Sequence, residues 1–294
     1  MSGIIRFAPS PTGYLHEGHL LSALYVWAAA AKWGLKVHLR IEDHDQSRAR
    51  PAYIEGIRED LAWLGFRYDS ESIQSERSAI YEAALQKLEA KSLVYPCYCS
   101  RKQLQDENPK SETGEIIYQG KCFFRRQPYK ASDESAPHNL RFIVSDKVIH
   151  WHDLRLGDFH ENPKLQCGDF PIRDREGQWT YQFAVCVDDI DENITHIVRG
   201  EDIRNSTARQ IALMEALGRT ERPVYLHHPL IVDENNKKLS KRELAHSLRQ
   251  DKEAGITPEM LLGRVCHKAL LTESDAPISL QEAIALVAHT LPSP

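Results

Sequence analysis

The chain has 294 residues, with 37 Lys plus Arg against 42 Asp plus Glu, a formal net charge of −5. Its 41% hydrophobic and 27% charged residues make an ordinary globular composition, neither disordered nor fibrous, with room for one large or two modest domains. The longest apolar run, residues 20–31, is too short to span a bilayer. The N-terminal MSGIIRFAPSPTG lacks the basic region and apolar core of a signal peptide, so a cytoplasmic protein is expected, one that meets any polyanion through a local basic patch.

Residues 4–8 (IIRFA) read as a strand, and Pro9, Pro11 and Gly13 supply the loop after it. Residues 19–33 read as a helix apolar on most faces, stopped at Gly34. Residues 36–42 (KVHLRIE) alternate as a strand and run into Asp43, His44 and Asp45. Pro51 opens a helix in which Ile54, Ile57, Leu61 and Leu64 recur at helical spacing before Gly65. Tyr81, Ala84, Leu85 and Leu88 share one face of the next helix. This order is the start of a right-handed βαβ unit on an open parallel sheet.

From about residue 93 to 179 cysteines, prolines, tyrosines and charges dominate, and the strands (140–144, 148–151) are short, as in an inserted subdomain. The α/β pattern resumes after Tyr181. A strand is expected at 194–199, a helix capped by Ser206 and ending near Gly218, and a strand at 224–226. The C-terminal stretch is helical. Thr257 precedes Pro258 as an N-cap, and Ser279 with Glu282 forms a capping box. Leu280, Ala283, Ile284, Val287, Ala288 and Leu291 make an apolar stripe.

Two motifs suit polyphosphate chemistry. His16-Glu-Gly18-His19 lies at a loop–helix junction, where free backbone N–H groups and the helix dipole favour anions. Gly18 permits close approach, and His16 and His19 can face one side. On spacing alone they also read as two surface histidines. Lys237-Lys238-Leu-Ser-Lys241-Arg242 offers cations for a leaving pyrophosphate, or is a solvated basic loop. The two motifs lie near the start and end of the α/β pattern, where both can reach a site outside the carboxyl ends of the strands. Three of the six cysteines, Cys97, Cys99 and Cys122, cluster in sequence. Their spacing is not that of a standard finger, and they read either as metal ligands or as small hydrophobes. Cys167, Cys186 and Cys266 are expected in packing.

HEGH after PSPTG, with KLSKR far downstream, resembles the paired signatures of class I aminoacyl-tRNA synthetases. The strings Arg6-Phe-Ala-Pro-Ser10, Arg40-Ile-Glu42-Asp43, Tyr181-Gln-Phe-Ala with Val187-Asp-Asp189, and Ile197-Val-Arg199-Gly-Glu-Asp202 resemble the glutamyl-tRNA synthetases. Within them the chain is most similar to the truncated branch, the glutamyl-Q tRNA(Asp) synthetases, on three grounds. Only residues 243–294 follow the KLSKR string, Val185 stands where full-length enzymes often have asparagine, and Cys97, Cys99, Tyr118 and Cys122 resemble that branch's zinc site. His19 departs from the branch and matches the full-length pattern.

The resemblance implies a class I Rossmann-like parallel sheet split between residues 1–92 and 180–242. It implies an inserted zinc-containing α+β subdomain at 93–179 and a short helical extension at 243–294, with no anticodon-binding domain. The implied chemistry is ATP-dependent activation of L-glutamate without tRNA, then transfer to queuosine in the anticodon of tRNA(Asp). Charging of a tRNA 3′ end and a non-catalytic regulatory role are the alternatives.

Arg6, Ser10, Glu42, Tyr181 and Arg199 would bind glutamate. Arginine forks suit its two carboxylates and Glu42 its ammonium, and by resemblance Arg199 reads the side-chain carboxylate. His16, Gly18, His19, Lys238 and Lys241 would bind ATP with Mg, with His16, His19 and Lys241 catalytic. One structural Zn would sit on Cys97, Cys99, Tyr118 and Cys122. It would fix a loop carrying Arg101, Lys102, Lys121, Arg125 and Arg126 toward tRNA. A monomer is expected.

Overall fold

The structure is a computed structural model that describes residues 3–124, 137–231 and 246–293. It opens with β1 (Ile4–Phe7), α1 (Glu17–Trp33), β2 (Lys36–Ile41), α2 (Pro51–Leu64), β3 (Ser70–Ile73) and α3 (Ser78–Ala90). Then come β4 (Val94–Cys97), α4 (Arg101–Glu107), α5 (Lys121–Phe124), β5 (Asn139–Phe142), β6 (Ile149–Asp153), β7 (Gly157–Glu161), α6 (Pro163–Gln166) and β8 (Phe170–Arg173). The chain continues through α7 (Tyr181–Asp191), β9 (His196–Gly200), a 3-10 segment (Glu201–Ser206), α8 (Thr207–Ala216) and β10 (Val224–His228). It finishes with α9 (Leu248–Glu253), α10 (Pro258–Lys268) and α11 (Leu280–Thr290).

The expected stops are physical ones. Gly34 ends α1 in the left-handed region at φ 67°, and its N–H returns to Ala30 O. Thr257 and Ser279 cap α10 and α11 as their sequences predict. Ser206 does not cap α8. It sits in helical conformation at the end of the 3-10 segment, and its hydroxyl instead accepts the Gln182 amide at 2.9 Å.

Seven strands form one sheet in the order β3-β2-β1-β9-β10-β6-β7, parallel except for the antiparallel edge hairpin β6–β7. A second sheet, β4-β5-β8, is antiparallel. Strands β6 and β7 thus lie between residues 93 and 179 yet extend the large sheet, so the change of composition there does not coincide with a change of sheet. The order reverses between β1 and β9, which makes the crevice at their carboxyl ends the expected ligand position of an open α/β sheet.

Helix α1 is apolar nearly all round because it is buried on two sides, by β1, β2 and β9 and by α10 and α11. Leu20, Leu21 and Leu24 share one core with Val265, Cys266, Ala283 and Val287. The C-terminal helices therefore pack directly behind the helix that carries the histidine motif. No helix among the described residues is long and apolar enough to cross a membrane.

Candidate active site

His16 is the N-cap of α1. The Gly18 N–H donates to His16 Nδ1 at 3.1 Å, and the His16 N–H donates to His19 Nδ1 at 3.2 Å. The two rings lie side by side, with centroids 3.9 Å apart and planes tilted by 37°. A ring nitrogen that accepts carries no proton, so both imidazoles are neutral with the proton on Nε2. Burial, with His16 beside it, pushes His19 down to about 3, so it stays neutral at physiological pH. The pair is a two-donor device at a helix N-terminus, rather than a pair of cations.

Arg6 on β1, Arg199 on β9 and Glu42 just past β2 are all buried at the carboxyl end of the sheet, and Ser10 is half-buried in the loop after β1. Tyr181 opens α7. Burial raises its phenol, and it stands close enough to Arg199, Glu42 and Arg6 to feel their charges. The structure thus brings together the residues expected to bind glutamate. Lys238 and Lys241 lie outside the described residues.

The two arginines differ. Arg6 Nε is held by Asp189 Oδ1 at 3.1 Å, and the same oxygen accepts Arg40 Nη2 at 2.5 Å. Arg40, fully buried, also donates to Glu192 Oε2 through Nε at 2.9 Å and Nη2 at 2.6 Å. Asp188 accepts Arg77 Nε at 2.7 Å, Gln74 Nε2 at 2.7 Å and Tyr81 OH at 3.0 Å. The Val187-Asp-Asp189 string is therefore the acidic half of a buried network that fixes Arg6 and Arg40. Arg40, Asp188 and Glu192 carry no sequence-based expectation of this role, because their partners come from distant elements.

Arg199 has only neutral partners among the described residues. Nε donates to His227 Nε2 at 3.0 Å, Nη1 to Gln210 Oε1 at 2.7 Å and Nη2 to Thr207 Oγ1 at 2.8 Å. His227 is held in turn by Asp153, whose Oδ2 accepts its Nδ1 at 2.7 Å and its backbone N–H at 2.9 Å. Since His227 Nε2 accepts, its proton is on Nδ1 and the ring is neutral. Burial likewise lowers its basicity. Arg199 is thus a buried guanidinium, held rigidly, whose charge no contacting carboxylate balances. Burying such a charge is costly unless an anion joins it. Asp153, Thr207, Gln210 and His227 were not foreseen from sequence, where nothing local marks them.

Glu42 differs from Asp189 and Glu192, whose carboxyls the buried arginines hold down against the effect of burial. Burial pushes its carboxyl up to about 7, against the pull of Arg40 and Arg6. For an acid raised on folding, the associated stability is complete below its ordinary value of 4.5 and is lost as pH rises through about 7. A ligand ammonium needs the ionised form. KM for an amino-acid substrate should therefore fall as pH rises from about 6 to about 8, and Glu42→Gln should remove that inflection. A flat wild-type profile would refute this.

In the small sheet, the sulfurs of Cys97, Cys99 and Cys122 lie within 4.8 Å of one another, with Cys99 and Cys122 at 3.5 Å. Tyr118 OH lies 3.5 Å from Cys97 Sγ and 3.7 Å from Cys99 Sγ, and accepts the Cys122 N–H at 2.9 Å. Around a tetrahedral zinc, thiolates on bonds of about 2.3 Å stand about 3.8 Å apart and an oxygen on a bond of about 2.0 Å stands about 3.5 Å from them, so the set fits that ion. Gly168 (φ +66°) makes it possible. A Cβ there would meet Tyr118 O at 2.1 Å, where the Tyr118 N–H reaches Cys167 O at 3.0 Å. Cys167, Cys186 and Cys266 are buried in packing. Of the expected basic loop, Arg101 and Lys102 are exposed, Lys121 is paired with Glu107 at 2.5 Å, and Arg125 and Arg126 lie outside the described residues.

Comparison with known proteins identifies the family. The family described as tRNA synthetases class I (E and Q), catalytic domain, matches residues 4–287. A curated relative from Burkholderia cenocepacia, named glutamyl-Q tRNA(Asp) synthetase, is 39% identical over 95% of this chain and 92% of its own. A glutamate–tRNA ligase of Trichodesmium erythraeum is 38% identical over 90% of this chain but only 31% of its own. The crystal structure of a glutamate tRNA ligase from Elizabethkingia meningosepticum, in complex with its amino acid, superimposes with a TM-score of 0.79 at 28% identity. That match covers 98% of this chain and 66% of the ligase. The reversed strand order, the histidine-capped first helix and the full-length family match lead to one conclusion: this chain belongs to the class I tRNA synthetases of the E and Q group, a family of ligases.

Proposed function

We propose that the chain activates L-glutamate with ATP to glutamyl-adenylate, without requiring tRNA, and transfers the glutamyl group to queuosine in the anticodon of tRNA(Asp). The observation that carries the reading is Arg199, a rigid, buried cation at the switch point of the sheet with no acid of its own among the described residues. It suits the side-chain carboxylate of glutamate and rejects the neutral amide of glutamine, which would leave its charge unbalanced. The relative named glutamyl-Q tRNA(Asp) synthetase, covered over 92% of its length, supports the choice of acceptor.

In the activation step an α-carboxylate oxygen of glutamate attacks the α-phosphorus of ATP. A P–O bond forms as the bond to pyrophosphate breaks, and the electron pair leaves on pyrophosphate. Such in-line displacement needs positioning and charge stabilisation more than proton transfer. The Nε2–H groups of His16 and His19 donate to the phosphates. Glu42 takes the substrate ammonium, while Ser10, Tyr181 and Arg6 complete the amino-acid pocket. Gly18 leaves room for the nucleotide, and Lys238 and Lys241 are assigned to the leaving pyrophosphate from sequence. Magnesium bound with ATP neutralises phosphate charge. The cysteine–tyrosine cluster would hold one zinc in a structural role, fixing the surface that carries Arg101 and Lys102 toward RNA.

Glutamate-dependent ATP–pyrophosphate exchange without tRNA tests the first step, and it is expected for glutamate and absent for glutamine. Exchange seen only with tRNA would overturn the tRNA-independent reading. Labelled glutamate should then appear on tRNA(Asp) containing queuosine and not on the unmodified transcript. Equal labelling of both would place the acceptor at the 3′ end instead.

A further inference from the structure

Glu17 is the first residue of α1, between His16 and Gly18. An acid at that position suits the helix dipole. It also stands where the reading above brings the polyphosphate of ATP, and like charges at that range repel. Helix α10 meets it with two cations one turn apart. Arg264 Nε lies 2.7 Å from Glu17 Oε1, and Lys268 Nζ lies 2.6 Å from Glu17 Oε2.

Arg264 Nη2 also donates to Asp251 Oδ2 at 2.6 Å, and His246 Nε2 lies 3.1 Å from Asp251 Oδ1. Asp251 stands on α9, which is tied to the histidine loop through its backbone. Ser247 pairs with His16 in an antiparallel bridge, and the Leu248 N–H donates to Leu15 O at 2.8 Å. Glu17 and Asp251 are 13% and 4% exposed, so their charges are weakly screened. Leu261, Leu262, Val265 and Cys266 of α10 are buried in the same core as Leu20, Leu21 and Leu24 of α1. Packing therefore sets where the cations stand relative to Glu17.

We propose that Arg264 and Lys268 are positioning residues for ATP: they neutralise Glu17 at the N-terminus of α1, so that His16 and His19 meet the phosphates without a competing carboxylate. The proposal rests on the ATP reading of the histidine pair. The formal charges of Glu17, Asp251, Arg264 and Lys268 sum to zero; without the two cations they sum to −2. The sign of the effect follows. The harm done by losing the cations comes chiefly from Glu17, the acid at the helix N-terminus, so removing Glu17 repairs most of it although Asp251 on α9 keeps its charge.

The test is the Arg264→Gln/Lys268→Gln protein, alone and combined with Glu17→Gln. Affinity for Mg–ATP is measured by calorimetry, and KM for ATP by glutamate-dependent exchange. The double variant should bind ATP roughly tenfold more weakly, with kcat and KM for glutamate little changed and a cooperative thermal transition retained. Adding Glu17→Gln should return ATP affinity to within about twofold of the parent, and Arg264→Lys alone should keep it. Unchanged ATP affinity in the double variant would overturn the proposal. So would a triple variant no better than the double, the result expected of salt bridges that only hold the helices together. A parent protein that binds ATP without supporting exchange refutes the activation reading and leaves the charge test standing. A parent that binds no ATP refutes both.

Discussion

Arg199→Ala is expected to lower kcat/KM for glutamate in pyrophosphate exchange by at least about a hundredfold, roughly 3 kcal/mol, while leaving Mg–ATP affinity unchanged. The magnitude follows from burial. A substrate carboxylate that meets a desolvated guanidinium keeps its charge compensated, and the truncated site strands it. Arg199→Lys should not rescue. A single ammonium cannot keep the contacts to His227, Gln210 and Thr207 and still present a fork to the ligand. His227→Ala should show a milder form of the same phenotype, because it frees Arg199 Nε without removing the charge. An Arg199→Ala protein with a parental melting curve and parental exchange would exclude Arg199 from the glutamate pocket.

The second large effect concerns the cysteine cluster. The purified protein should carry one zinc per chain, and Cys99→Ser or Cys122→Ser should lose it. Structural zinc contributes on the order of 10 kcal/mol to the fold it closes. The small sheet should therefore lose protection from hydrogen exchange across residues 94–124, while the α1 core keeps its own. Exchange of pyrophosphate should largely survive, because Arg199 stands on the other sheet, with Glu42 just past its strand β2 and His16 at the start of α1. Transfer to tRNA should fall. Metal-free protein with full protection in that segment would sink the zinc assignment and leave the cysteines as packing residues.

Much of the fold was legible because local physics writes it into short windows. The helix-spaced apolar residues of α2 and α3, the capping box of α11 and the glycine after α1 each signal through a handful of neighbours. Two of the elements not foreseen give no such signal. Strand β3 is the polar string SESI at a sheet edge, with no apolar alternation to read. Helix α7 opens within a motif read for its chemistry rather than its periodicity. Ser206 was expected to cap α8, but the 3-10 segment runs into the helix and leaves no extended residue to serve as the cap.

The candidate site divides in the same way. The ordered motifs, through the family resemblance they carry, pointed to His16, His19, Glu42, Tyr181 and Arg199. They could not say that the histidines are neutral donors, since that depends on which backbone N–H each ring accepts. The resemblance singled out Arg199 for the side-chain carboxylate, but the residues alone did not show how Arg6 and Arg199 differ. Both are arginines near strand ends, yet Asp189 balances one and Asp153 reaches the other only through a neutral histidine. Helix periodicity and caps are settled by residues a few positions apart, so the sequence by itself determines them. Charge balance in this buried site is settled by side chains from separate elements, 28 positions apart for Arg199 and His227 and 183 for Arg6 and Asp189, at a range where Coulomb energy and desolvation change steeply with distance. Only the tertiary structure decides which of them meet.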